Sequence, residues 1–216
     1  MKSLTRPRVR SRASSRPSTL ATRAYDMSNR AAQAEATRER IRAAAVALYQ
    51  ERSLDGFTLE EVAERAAVTV QTVLRAFKSK DQLIMAALNT LALHGQPIKE
   101  RAPGDVDGAV AMIFDLYEAV GDLVIRQLGD EQRLPGMKAD MDIGRAKHAD
   151  WVRTSFAPQL ERHDAAQRAP IFSALMVATD VYVWKLLRRD QGLDRGDAEA
   201  VVRQLINGVI GNSREA

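Results

Sequence analysis

The stretch "FTLEEVAERAAVTVQTVLRAFKSKDQL", residues 57–83, holds three helix-start signals in quick succession. Thr58 and Glu61 form a T-x-x-E capping box, Thr69 can cap a second helix from Val70 to about Phe77, and Ser79 with Gln82 opens a third as S-x-x-Q. Val62, Ala63 and Ala66 give the first helix one apolar face. Helices of about two turns are marginal alone, so a chain that starts and stops them this often is specifying tertiary geometry. The geometry that fits is a sharp angle between two short helices. A helix-turn-helix uses that angle to lay its second helix in a major groove while the first crosses the backbone. An ordinary helical hairpin predicts neither the cap spacing nor an exposed Val70 and Gln71 at the start of the second helix.

The surrounding sequence is helical too. In "RIRAAAVALYQER", Ile41, Ala45 and Leu48 share one face, and "SLDGF" is predicted to end that helix at Gly56. A fourth helix is expected from about Lys80 to Leu93. Residues 106–120 align Met112, Ile113, Leu116, Tyr117 and Val120, while residues 168–189 are apolar around much of their circumference. Alanine, leucine, arginine and glutamate dominate, aromatics are only 5% of the chain, and no alternating strand pattern appears. The expectation is an all-α protein of about nine helices, with a three-helix head at residues 31–88 and a helical bundle at 94–216.

Charge is unevenly spread. The first thirty residues carry Lys2, Arg6, Arg8, Arg10, Arg12, Arg16, Arg23 and Arg30 against Asp26 alone, so within a net charge of +4 the rest of the chain is net acidic. This Arg/Ser/Pro-rich leader, residues 1–30, has too little apolar side chain to offset the entropy of ordering it and is expected to be disordered. Met27, where the composition changes, is an alternative start of translation. The chain has no cysteine, which excludes disulfides and a thiol nucleophile and fits a reducing compartment. With no apolar run of spanning length and no apolar centre of a signal peptide, it is expected in the cytoplasm, away from the membrane.

From about Thr37 to Leu88 the sequence resembles the DNA-binding head of the tetracycline-repressor (TetR) family. The resemblance rests on G-F-T, then an alanine pair before V-T-x-x-T, then F-x-x-K. "LYEAVGDLVIRQL", "RAKHADWVRTSFAPQL" and "DVYVWKLLRRDQGL" resemble the family's more variable effector-binding and dimerisation region. The resemblance implies a homodimer on a double-stranded, palindromic operator, released by a small-molecule effector. Thr58, Thr72 and Lys80 match positions that hold phosphates, and Val70 and Gln71 match positions that face base edges; Thr69 and Arg75 complete the expected DNA-contacting set. Free N–H groups at helix N-termini suit phosphates, and glutamine can pair bidentately with adenine. Ala67 stands where the family has glycine, so a positive φ there would cost about 1–2 kcal/mol. Leu74 and Ala76 replace a tyrosine and a histidine, which removes two backbone-reaching groups and would reduce salt sensitivity unless Arg75, Lys78 or the leader compensates.

No catalytic residue, metal site or cofactor is expected. His94, His148 and His163 lie far apart without ligand spacing, and no nucleophile elbow or phosphate-binding glycine loop occurs. Candidate ligand-binding residues are Met112, Tyr117, His148, Trp151, Met176 and Asp180. The candidate dimer interface comprises Phe172, Met176, Val183, Leu187, Val202, Leu205, Ile206 and Val209, from the last two helices. The competing class is a small-molecule-binding or catalytic bundle with a vestigial head; a third reading is an activator or a nucleoid-type binder.

Overall fold

The computed structural model describes residues 19–90 and 102–211. Every regular element among them is helical. The elements are α1 (Thr19–Glu51), α2 (Leu59–Arg65), α3 (Val70–Phe77), α4 (Lys80–Thr90), α5 (Val106–Asp130), α6 (Met137–Ser155), α7 (Ala157–Leu160), α8 (Ala165–Ala178), α9 (Val181–Lys185) and α10 (Arg195–Gly211). A 3₁₀ turn, Leu54–Gly56, precedes α2, and a π-helical turn, Leu186–Asp190, continues α9. With α8, α9 and that turn taken as one interrupted run, nine helices remain among the described residues.

The chain divides into two compact units, Met1–Arg40 and Ile41–Ala216. Residues 19–30 belong to α1, which corrects the expectation that the whole leader lacks order. Past Pro17 there is no further proline to break the helix, and the alanine-rich sequence favours it. The expected disorder of residues 1–18 and the expected end of the fourth helix at Leu93 lie outside the described residues.

In the second unit, α1 buries Ile41, Ala44, Ala45, Leu48 and Tyr49 against Val62 and Ala63 of α2, Val73 and Phe77 of α3, and Leu83, Ile84 and Ala87 of α4. The helix stops at Glu51, earlier than the glycine rule suggested, because Gly56 closes the 3₁₀ turn through its N–H to Ser53 O at 2.9 Å. Leu123, Leu134, Met137 and Met141 join this same core from α5, α6 and the loop between them. Leu128 packs against both this core and the second one.

The second core lies within the bundle. Helix α5 packs on α6, α9 and α10, and α8 packs on α6 and α10. Gly121 permits a close approach of α9 to α5, since a Cβ there would stand 2.5 Å from Trp184 Cζ3. The run Ala165–Asp190 is long and apolar enough to cross a membrane, with mean hydropathy 1.3 in its best window, contrary to the expectation that no such run exists. Its alternating stripes explain this: Ile171, Leu175, Ala178, Val181, Trp184 and Leu187 are buried in the bundle.

That stripe also corrects the expected dimer interface. Leu187, Val202 and Ile206 are 5%, 2% and 0% exposed and belong to their own subunit's core. Phe172, Met176, Val183 and Val209 are half-buried, and Leu205 is exposed. The large apolar residues of these helices left facing outward are Val177, Tyr182 and Leu186, each one position from an expected residue, and Leu205, which was among those expected. The period was legible, but a helix apolar nearly all round does not announce which stripe turns inward.

Candidate functional site

Helix α2 begins with a complete capping box: Glu61 N donates to Thr58 Oγ1 at 3.3 Å, and Thr58 N donates to Glu61 Oε2 at 2.8 Å. Arg52 holds Glu61 at 2.8 Å, and Arg65 grips Glu51 at 2.8 and 3.1 Å, so both arginines fasten α2 to the C-terminal end of α1. The turn after α2 places Ala67 at φ 53°, with its N–H on Glu64 O, while Val68 N donates to Ala63 O. An alanine therefore holds the left-handed position, and the turn keeps its shape despite the missing glycine. Helix α3 then starts at Thr69, whose Oγ1 accepts from Thr72 N at 3.2 Å and lies 2.9 Å from Thr72 Oγ1.

The faces of α3 are well separated. Val73 and Phe77 are buried, and Val70 and Ala76 pack partly against the same core. Val70, expected to read base edges, is thus turned inward, because it stands three and seven residues before Val73 and Phe77 on their face. The outward face is Gln71, Leu74, Arg75 and Lys78, at i, i+3, i+4 and i+7. Leu74, 40% exposed, is an apolar group on an otherwise polar stripe, and sequence reasoning treated it only as a lost tyrosine. The helical spacing from Gln71 would have placed it there. Lys78 ends the helix with φ 62° and its N–H on Leu74 O at 2.8 Å.

Lys80 does something other than expected. Its ammonium donates to Leu54 O and Phe57 O and lies 3.9 Å from the centroid of the Phe57 ring. Burial holds its pKa below the usual lysine value, against the opposing pull of Asp55, Asp81 and Glu61. The geometry makes Lys80 a clamp on the loop before α2, with two of its three donors already used inside the head.

A second feature lies in the bundle. The helical run breaks at Thr179 and Asp180, and the break is fastened on every side. Asp180 caps α9 by accepting from Tyr182 N at 2.8 Å, and Tyr117 Oη donates to Thr179 O at 3.1 Å. Thr179 Oγ1 donates to Leu175 O at 2.8 Å, so it accepts from His148 Nε2 at 2.9 Å. That assignment fixes the Nε2–H tautomer and leaves Nδ1 as an acceptor. Burial lowers the His148 pKa, with Asp180 opposing, and the ring stacks on Trp151 at 5.8 Å and 17°.

Beside this break lies a cavity of about 440 Å³, walled by α5, α6 and the α8–α9 run. Five of the six candidate ligand residues line it: Tyr117, His148, Trp151, Met176 and Asp180. Met112 does not; it is 8% exposed and lies in the bundle core. Gln127 also lines the cavity and was missed, because a lone glutamine carries no sequence signal of burial. It is 3% exposed, and its Oε1, like Trp151 Nε1, has no hydrogen-bond partner. Among the described residues, no three His, Asp or Glu side chains are gathered to hold a metal ion.

The last turn of α5 connects cavity and head. Gln127 faces the cavity, while Arg126 donates to Gln50 O at 3.0 Å and Asp130 accepts from Tyr49 Oη at 2.9 Å. Just beyond, Arg133 holds Asp55 at 2.6 and 2.7 Å and Asp130 at 3.3 Å.

A capped pair of short helices with one polar, outward face on the second is the arrangement of a helix-turn-helix. Residues 41–87 match the family model described as bacterial regulatory proteins, tetR family, and this match supports a DNA-binding transcription regulator of that family. No curated protein matches the chain.

Proposed function

We propose that the protein is a homodimeric repressor that binds a palindromic operator in the bacterial cytoplasm and leaves it when a small molecule fills the bundle cavity. It acts by binding, without a reaction. The observation that carries this reading is the last turn of α5, where Gln127 faces the cavity while Arg126 and Asp130 hold residues of α1. A ligand that prefers another position of that turn alters the seat of the head. Two recognition helices must meet major grooves about 34–36 Å apart, so a small displacement prevents simultaneous docking. A coupling of about 1–3 kcal/mol weakens the operator complex about 5- to 150-fold, and the operator weakens ligand binding equally.

On this reading Gln71, Leu74, Arg75 and Lys78 meet the groove, with Leu74 suited to a thymine methyl and Gln71 to adenine. Thr58 and Thr69, at helix starts, serve phosphates. The second subunit covers the outward stripe of the α8–α9 run and α10, where Pro170, Ala174, Leu205 and Gly208 line a shallow groove. The test is titration of the protein against DNA flanking its own gene, then selection of bound fragments at physiological salt. Binding with no sequence preference would sink the operator reading. Gln71→Ala should relax preference at one or two positions by about 1–3 kcal/mol. Ligands that stabilise the protein yet leave operator affinity unchanged would sink the release reading.

A further inference from the structure

We propose that Arg133, which lies outside the head in sequence, is a positioning residue for operator binding: its hold on Asp55 fixes the turn that presents the start of α2 to a DNA phosphate. This goes beyond the function proposed above and rests on its assignment of Thr58 to a phosphate.

The turn Leu54–Gly56 runs almost directly into Thr58, the N-cap of α2. A helix start serves a phosphate only while its free N–H groups point at it, so the backbone just before the cap sets the aim. Two cations of the head hold that backbone. Lys80 donates to Leu54 O and Phe57 O, and Arg52 donates to Gly56 O at 3.0 Å while bonding Glu61 of the capping box at 2.8 Å. The third hold comes from the α5–α6 connection. Arg133 Nη2 donates to both carboxylate oxygens of Asp55, at 2.6 and 2.7 Å.

Arg133 is itself aimed. Asp130 divides its two oxygens between Arg133 Nη1 at 3.3 Å and Tyr49 Oη at 2.9 Å, so the guanidinium is fixed to the end of α5 and, through it, to α1. The Arg133 and Asp55 side chains are 47% and 74% exposed, and an ion pair in that setting adds little to folding stability. What it sets is direction, because the guanidinium that meets Asp55 is oriented at its other end by a buried carboxylate.

A direct phosphate contact by Arg133 is the rival account, and the sign of one effect separates the two. Removing the Asp55 carboxylate takes a negative charge from the head and frees Arg133, which by electrostatics alone strengthens binding to a polyanion. Positioning predicts weaker binding.

The experiment titrates the full chain against the tightest duplex from the selection above, and against copies carrying one neutral methylphosphonate linkage at each position in turn. Thr58→Ala identifies the phosphate served by α2, as the linkage whose neutralisation no longer matters to that variant. Arg133→Gln and Asp55→Ala should each bind the unmodified duplex about tenfold more weakly and become indifferent to that same linkage. Both should keep the base preference of the unaltered protein, and the double variant should bind no more weakly than either alone. Melting temperature should move by less than about 3 °C. Simple loss of folded protein would scale every affinity and leave the linkage pattern intact. Asp55→Ala binding as tightly as the unaltered protein or more tightly, additive losses, or an unchanged linkage pattern in Arg133→Gln would overturn the assignment. Should one variant fold poorly, the other decides through the same pattern. A Thr58→Ala protein that keeps the full linkage pattern would remove the phosphate reading of Thr58 and the role of Arg133 with it. A Thr58 linkage that Arg133→Gln still feels removes the role of Arg133 alone.

Discussion

Tyr49, near the end of α1, donates its phenolic hydrogen to Asp130 at the last residue of α5, and both residues are buried. Burial, reinforced by the carboxylate, pushes the Tyr49 hydroxyl far above the ordinary tyrosine range, so the donor persists at any working pH. Tyr49→Phe removes the donor and leaves a buried carboxylate with Arg133 as its remaining side-chain partner. The expected cost is about 1–3 kcal/mol, read by urea unfolding. The same variant should blunt the effect of any releasing ligand on operator affinity. An unchanged midpoint would mean that Arg133 satisfies Asp130 alone.

Ala67→Gly should stabilise the head. A non-glycine residue at φ 53° costs about 1–2 kcal/mol, while glycine adds about 0.5–1 kcal/mol of unfolded-state entropy. The net expectation is a gain of about 0.5–1 kcal/mol without change in operator preference. Destabilisation by the glycine would show that the alanine methyl has a packing role outweighing the strain.

Lys80→Met separates a structural clamp from a phosphate contact. Loss of the two carbonyl contacts should cost about 1–2 kcal/mol in DNA-free protein, the lower part of the range because the ammonium is partly solvated. A lysine serving only phosphates would leave thermal stability untouched and instead reduce the salt slope of binding by about one unit.

Leu205→Glu places a charge on the outward stripe and should give monomers with weak operator affinity by light scattering and footprinting. Ile206→Glu, aimed at a fully buried neighbour, should instead unfold the subunit. A dimeric Leu205→Glu protein would move the interface elsewhere.

His148 gives the fold a pH dependence. Its folded pKa lies below the unfolded value of about 6.5, so at mildly acid pH the unfolded chain binds a proton that the folded one refuses. Its contribution is complete above the unfolded pKa and is lost as pH falls below it. Melting temperature should therefore decline from pH 7 toward pH 5, and His148→Gln, which keeps a donor for Thr179, should flatten that decline. Parallel curves for both proteins would assign the decline to other groups.

The head was legible because its information is local: caps at Thr58, Thr69 and Ser79 bond their own neighbours, so sequence spacing alone locates α2, α3 and the start of α4. What sequence spacing concealed is which side of each helix faces inward. Leu187, Val202 and Ile206 looked like interface, because their burial is decided by packing partners far along the chain. Lys80 eluded the reading for the same reason: its acceptors are 23 and 26 residues away. Tyr117, His148, Trp151, Met176 and Asp180 were brought to one cavity, but Gln127 was visible only through its unpaired oxygen.

Leu123, Leu134, Met137 and Met141 lie beyond the head in sequence yet inside its core, and Leu128 touches both cores. This has a consequence for recombination between regulators. A chimera cut after residue 88 would transplant the head while leaving part of its hydrophobic floor behind, and the new partner would have to supply four side chains of matching shape. Exchange that carries α1–α4 together with residues 123–141 respects the buried boundary. In this chain the unit that can be inherited intact is discontinuous.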